Sequence, residues 1–396
     1  MQTSRRDIFL LACCQALLLT NASGLISMNG LVGFALAQNK ALATFGATTY
    51  VLGSALAAMP MALWMGKVGR RRGFMTGAAI NIVGCVIGTL ALQWRSFPLF
   101  CFATCIIGVY NAVGLQYRFA AAEVAAPDYR ARAISLVLAG GVVGGLIGPQ
   151  AIRLTRDLFA TPFQGSLLML ALVALIALAV QSQVHVPRPV VDEDADKGRP
   201  LSVIARQPAF IVAVIAAALG YGLMNLLMTA TPIAMDFCGH PFSAAAWVIE
   251  WHVVAMYAPG FVTGSVIRRF GKLPVILAGV AMTVIAVIVA LDGISVAHFI
   301  AALALVGIGW NFMYTGGTTL LTETYEPSEK ARTQGLNDFI VFATMGVSSV
   351  SSGALVTTTG WQTMNRAALP VLAVICAAVL WLMWRRREAV NGPAKA

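Results

Sequence analysis

Residues 110–132 read YNAVGLQYRFAAAEVAAPDYRAR, and residues 310–332 read WNFMYTGGTTLLTETYEPSEKAR. Asn111, Glu123, Pro127, Ala131 and Arg132 return 200 positions later as Asn311, Glu323, Pro327, Ala331 and Arg332, and Tyr110 is answered by Trp310. Five identities at one offset mark a duplicated unit. The short loop Gly66-Lys67-Val68-Gly69-Arg70 has a similar counterpart in Arg268-Arg269-Phe270-Gly271-Lys272. The chain is therefore expected to hold two like-oriented copies of one unit.

What the unit is made of follows from composition. Of 396 residues, 59% are hydrophobic and 11% charged, with a mean hydropathy of +0.80. Soluble domains carry roughly 25% charged residues, so a soluble enzyme is excluded. Twelve apolar runs are long enough for a membrane helix, which needs about 20 residues: 8–37, 43–65, 74–93, 97–122, 133–155, 163–184, 208–235, 243–267, 274–291, 296–322, 333–356 and 366–384. The fold class is an all-α integral membrane protein of twelve transmembrane helices in two pseudo-symmetric six-helix halves. The halves are 1–184 and 208–396, joined by a polar linker at 185–207 that carries prolines and the acidic run Asp192-Glu193-Asp194-Ala195-Asp196.

Net charge is +11, but the basic residues are gathered on no soluble face, and nucleic-acid binding is not indicated. With the N-terminus inside, 21 of the 27 Lys and Arg fall in inner segments, 5 in outer ones, and Arg118 inside a span. That asymmetry predicts cytoplasmic termini and a charge suited to anionic lipid. Ser4-Arg5-Arg6-Asp7-Ile8-Phe9-Leu10 looks like a twin-arginine export signal. Its removal would leave eleven spans and set the basic loops against the inside rule, so the first helix is expected to be retained. Seven cysteines, nearly all within apolar runs, and four scattered histidines offer no disulfide framework, metal site or catalytic spacing. No Gly-rich phosphate loop is present, and no cofactor is expected.

These features resemble the major facilitator superfamily of secondary transporters across essentially the whole chain: twelve spans, a central loop, and basic loops after spans two and eight. Gly69, Arg70 and Arg71 sit where that family carries its Asp-Arg-x-Gly-Arg-Arg loop motif, with Gly271 and Lys272 in the second copy. The motif's Asp position is Gly66 here and Arg268 in the repeat, so the family's inner latch must be built otherwise. Gly144-x-x-x-Gly148-Pro149 partly matches a motif of exchangers that expel compounds; small-xxx-small spacing is also ordinary membrane helix packing. The resemblance implies alternating access, a cavity lined by spans one, four, seven and ten, an approach of spans four and eleven on the inner side, and a monomer.

Charged residues within spans are costly, about 2.5–3.5 kcal/mol at a helix centre, and here they are Arg118, Glu250 and Asp338. Arg118 and Asp338 lie at similar depth and are expected to pair as an inner gate in place of the missing motif Asp; neutralisation of each within its own half is the alternative. Glu250 is the candidate for proton coupling, since a desolvated carboxyl binds protons more readily, the alternative being a packed structural group. The substrate candidates are Asn111 and Asn311 with Tyr110, Trp310 and Tyr314, then Tyr221 and Asn225 in span seven and Asn29 in span one. Amides in membrane helices also act as interhelical glue, and repetition across the halves fits both roles. Amides, hydroxyls and aromatics with few fixed charges suit a neutral or amphiphilic small organic solute. The sequence thus predicts a proton-linked carrier in a bacterial-type inner membrane, exporting by antiport, with uptake by symport or a non-transporting sensor as alternatives.

Overall fold

The structure is a computed structural model, and it describes residues 4–38, 42, 45–187 and 198–391. The acidic run 192–196 falls outside the described residues. The described chain is helical, without strands. In order the helices are α1 (Arg5–Leu36), α2 (Phe45–Val68), α3 (Arg70–Gln93), α4 (Phe97–Gly114), α5 (Tyr117–Glu123), α6 (Arg130–Ala139), α7 (Gly141–Thr155) and α8 (Gln164–Gln181). They continue with α9 (Leu201–Ala205), α10 (Pro208–Phe237), α11 (Phe242–Tyr257), α12 (Gly260–Phe270), α13 (Lys272–Asp292), α14 (Val296–Leu321) and α15 (Lys330–Asn391).

Among the described residues, ten stretches are long and apolar enough to cross a membrane. The other two of the expected twelve have local explanations. Span eight is divided at Pro259 into α11 and α12, each too short alone. Span eleven is the polar first part of α15, which carries Asn337, Asp338 and several serines; Gly360, at φ 79°, separates it from span twelve. Spans four and five are also segmented, at Leu115–Gln116 and at Gly140.

The chain forms two compact units, 1–197 with 327–346, and 198–326 with 347–396. In the first unit α2 and α3 pack on α4, and α1 packs on α7 and α8. Apolar area cannot drive helices together in lipid, so close approach comes from small residues. Gly53 and Gly108 bring α2 and α4 into backbone contact, and Gly140, Gly144 and Gly148 seat α6 and α7 against α1. In the second unit α14 is central, touching α10, α11 and α13, with Gly279 against Gly309 and Gly307 against α11.

The duplication is visible in the backbone. Gly69 and Gly271 immediately precede α3 and α13, with φ/ψ of 87°/157° and 89°/166°. Only glycine adopts that conformation without strain. The two basic loops thus turn alike because each has its glycine at the same step.

Candidate functional site

The loop glycines deliver a cation to the same acidic partner in each copy. Arg70, the first residue of α3, reaches Glu123 through Nη2 at 2.7 Å, and Lys330 reaches the other oxygen of Glu123 at 3.0 Å. In the second copy Lys272, the first residue of α13, pairs with Glu323, whose other oxygen takes Arg386 at 2.9 Å. Burial works against ionisation of Glu323, but Lys272 and Arg386 outweigh it and hold the carboxyl below its usual range. Burial lowers Lys330; Glu123 opposes that, and Arg70 adds to it. Arg71 stays exposed.

In the first unit the pair is the outer end of a larger network. Arg70 also donates to Gln116 Oε1 at 2.7 Å and to Gln334 Oε1. Gln116 Nε2 donates to Asp338 Oδ2 at 2.5 Å, while Asp338 Oδ1 accepts from Arg118 Nη2 and from Asn337 Nδ2 at 2.9 Å. Arg118 is 1% exposed and Asp338 not at all. Arg118 and Asp338 are thus brought together as a buried ion pair, and Gln116, Gln334 and Asn337 tie that pair to the loop arginine. Such a pair persists only when its remaining donors and acceptors are engaged, and the amides do this for the carboxylate. The break between α4 and α5 at Leu115–Gln116 places Gln116 and Arg118 together at the head of the short helix.

The second unit holds an aromatic cluster. Trp310 and Tyr314, one turn apart on α14, stack at 5.0 Å with 16° between planes. Tyr221 of α10 meets both edge-on at 5.2 Å, and Tyr257 of α11 meets Trp310 at 5.5 Å. Trp310 is fully buried and its indole N–H has no partner among the described residues; Tyr221 is partly exposed. One turn along α10, Asn225 donates to Ser348 at 2.9 Å. Sequence reasoning named Tyr221, Asn225, Trp310 and Tyr314 among the substrate candidates and Glu250 for proton coupling. The cluster draws Tyr257 in and leaves Glu250 out, exposed on α11 beside exposed Trp247 and Trp251.

Both repeat asparagines bond to neighbouring helices. Asn111 Nδ2 donates to Ser54 of α2 at 3.2 Å. Asn311 is engaged at both ends: Nδ2 donates to the Met256 carbonyl and Oδ1 accepts from Thr263, each at 2.7 Å. Tyr110 is buried in the core of the first unit beside Tyr117 and Val113, and Asn29 is buried near Gly46 of α2. Neither is part of the aromatic cluster.

Comparison with known proteins bears on the whole arrangement. The family model of the Major Facilitator Superfamily matches residues 9–260 and 240–396. The riboflavin transporter RfnT of Brucella anthropi is 40% identical over 380 residues, 95% of this chain and 96% of that protein. The uncharacterised MFS-type transporter YddS of Bacillus subtilis is 27% identical over 359 residues, covering 86% and 82%. Among solved structures, the transporter FucP in its outward conformation superposes with a TM-score of 0.75 at 14% identity, covering 95% of this chain and 98% of that one. A bacterial homologue of the iron transporter ferroportin, outward-facing, gives 0.72 at 13% identity, with 95% and 98% covered. The likeness of these structures extends to the fold. The duplicated helices, the paired glycine loops and the match along the whole chain agree: this chain is a transporter of the major facilitator superfamily.

Proposed function

We propose that the solute is riboflavin or a close flavin, bound against the aromatic cluster of the second unit. Riboflavin joins a flat tricyclic ring to a polyhydroxyl chain and is uncharged at neutral pH. The observation that carries the reading is the Trp310–Tyr314 stack with Tyr221 at its exposed side. A flat ring stacks on Tyr221, the indole N–H of Trp310 suits a ring carbonyl, and Asn225 with Ser348 supplies polar groups for the chain. The 40% identity with a riboflavin transporter supports the same cargo.

Transport is proposed to be proton-linked uptake into a bacterial cell across the inner membrane, by a monomer with cytoplasmic termini. Export drew its sequence support from Gly144 and Gly148, and both sit against α1, where a side chain would collide. A packing role accounts for them, and a cofactor precursor is more usefully imported. Proteoliposomes with an imposed pH gradient test this: riboflavin accumulating from the acidic side supports it, and accumulation driven only by the opposite gradient establishes export. Absence of any riboflavin movement or binding would overturn the cargo.

A further inference from the structure

We propose that the cavity between the start of α3 and the segment 184–187 after α8 holds the phosphate of an anionic phospholipid, whose chains lie along α3. The cavity measures about 750 Å³ and belongs wholly to the first unit. Arg70, Arg71, Arg72 and His185 line its polar side, and among the described residues no carboxylate lines it. The two nearby acids are engaged elsewhere. Glu123 takes Arg70 and Lys330. Asp7 accepts from the Ser4 hydroxyl and, at 2.9 Å, from the His185 N–H, which fixes the far wall. Arg71 and Arg72 are exposed, and none of the ion pairs among the described residues includes them. Adjacent guanidiniums at one cavity match a phosphate, whose oxygens accept their forked hydrogen bonds.

The second copy supplies the control. At the same step of its repeat, residues 271–274 and the end of α15 enclose a cavity of about 360 Å³. Leu273 and Pro274 stand there where Arg71 and Arg72 stand in the first copy. Glu323 enters the lining as the counter-charge of Lys272 and Arg386. One cavity carries its own anion, and the other leaves two arginines for an anion from outside.

What lies beside the cations favours a lipid over a soluble phosphate. Val68, Met75, Val184 and Val186 make the rest of the wall apolar. From Arg72, the positions Met75, Ala79, Val83 and Val86 follow at three- and four-residue steps on one face of α3. Ala79, Val83 and Val86 are exposed on a helix long and apolar enough to cross a membrane. A headgroup at the arginines therefore has an apolar face directly below it for its chains.

Native mass spectrometry of the purified, full-length protein, titrated with phosphatidylglycerol or with phosphatidylcholine of the same chains, tests the proposal. Phosphatidylglycerol should be retained more tightly. The double variant Arg71→Gln with Arg72→Gln should weaken its retention about tenfold. The unfolding midpoint of that variant without lipid should match the wild type, because both side chains are exposed. Arg385→Gln with Arg387→Gln removes the same charge beside the second cavity and should leave retention unchanged. Equal retention of the two lipids, or equal losses in the two double variants, would overturn the site. Displacement of the lipid by millimolar inorganic phosphate would put a soluble anion in its place. Converting Asp192, Glu193, Asp194 and Asp196 to their amides should change nothing. Phosphatidylglycerol retained only in that variant would give the cavity to the chain's own acidic run and end the proposal.

Discussion

The two copies of the repeat agree at one position and part company a few residues away. Glu123 and Glu323 each receive the first basic residue after the loop glycine. Yet where the first copy has Gln116, Arg118 and Leu138, the second has Gly316, Thr318 and Asp338. The aromatic side is equally lopsided: Trp310 and Tyr314 of α14 answer to Tyr110 and Gly114 of α4, and Tyr221 of α10 answers to Asn21 of α1. What is shared between the copies shapes the unit, and two of the places where they differ carry distinctive chemistry, one ionic and one aromatic. The comparison separates the loop pair, common to both copies, from the aromatic site that the proposed function uses and the ionic site beside it.

The sharpest way to break this comparison is to reverse the ionic site. Arg118→Asp or Asp338→Arg alone places two like charges in a fully buried site. Removing one partner of a buried pair already costs about 3–5 kcal/mol, so each single variant should lose transport and much of its folded yield. The double reversal restores opposite charges in one place and should recover both measures in part. A double variant as inactive as the singles would show that Arg118 and Asp338 act separately.

Glutamine at the two glutamates sharpens the shared side. Glu123 is 14% exposed and serves two cations, Arg70 and Lys330; losing its charge should cost on the order of 3 kcal/mol, read as a lowered unfolding midpoint in detergent. Glu323 is 37% exposed, so solvent screens its pairs and Glu323→Gln should cost at most about 1 kcal/mol. The Glu323 carboxyl protonates lower in the folded chain than in the unfolded one. Its contribution is therefore complete above the ordinary glutamate range and fades as pH falls below about 4. A Glu323→Gln protein should lose that part of the acid sensitivity, and equal losses for the two glutamates at neutral pH would refute the ranking.

The aromatic side predicts a smaller effect. Trp310→Ala removes a stacked pair and a ring donor, together about 1–1.5 kcal/mol, so riboflavin affinity should fall roughly tenfold. Trp310→Phe keeps the stack and should lose less. Titration of bound flavin fluorescence reads both, and equal losses would assign the effect to the indole N–H.

Much of this was legible in the sequence, for reasons that differ by residue. Membrane spans declare themselves by length, and the duplication by its fixed offset. Arg118 and Asp338 stand out because charges at lipid depth are rare, and their matching depth made the pair a candidate. Gln116, Gln334 and Asn337 gave no comparable signal: an amide is unremarkable anywhere, and the Arg70–Gln334 bond closes across 264 residues. The pairing of Glu123 with Arg70 could have been found, since both halves repeat a loop cation and a glutamate. Glu250 shows the opposite limit. Its helix face is set by how α11 packs on α14, which buries His252 and Tyr257 and leaves Trp247, Glu250 and Trp251 outside; periodicity alone does not say which face turns inward.

Asn311 marks the finest distinction, because a polar residue at mid-span has the same donors and acceptors for a solute as for a neighbouring helix. Here both ends of the amide are engaged, by the Met256 carbonyl and the Thr263 hydroxyl, at 2.7 Å each. Asn311→Ala should therefore lower the unfolding midpoint, by the equivalent of about 0.6–1.7 kcal/mol for an interhelical hydrogen bond in a membrane. It should leave flavin affinity within about twofold, since Trp310 and Tyr314 stack independently of it. Measured together, stability and affinity separate the two roles. A variant of unchanged midpoint that no longer binds flavin would return Asn311 to the substrate and extend the aromatic site along α14.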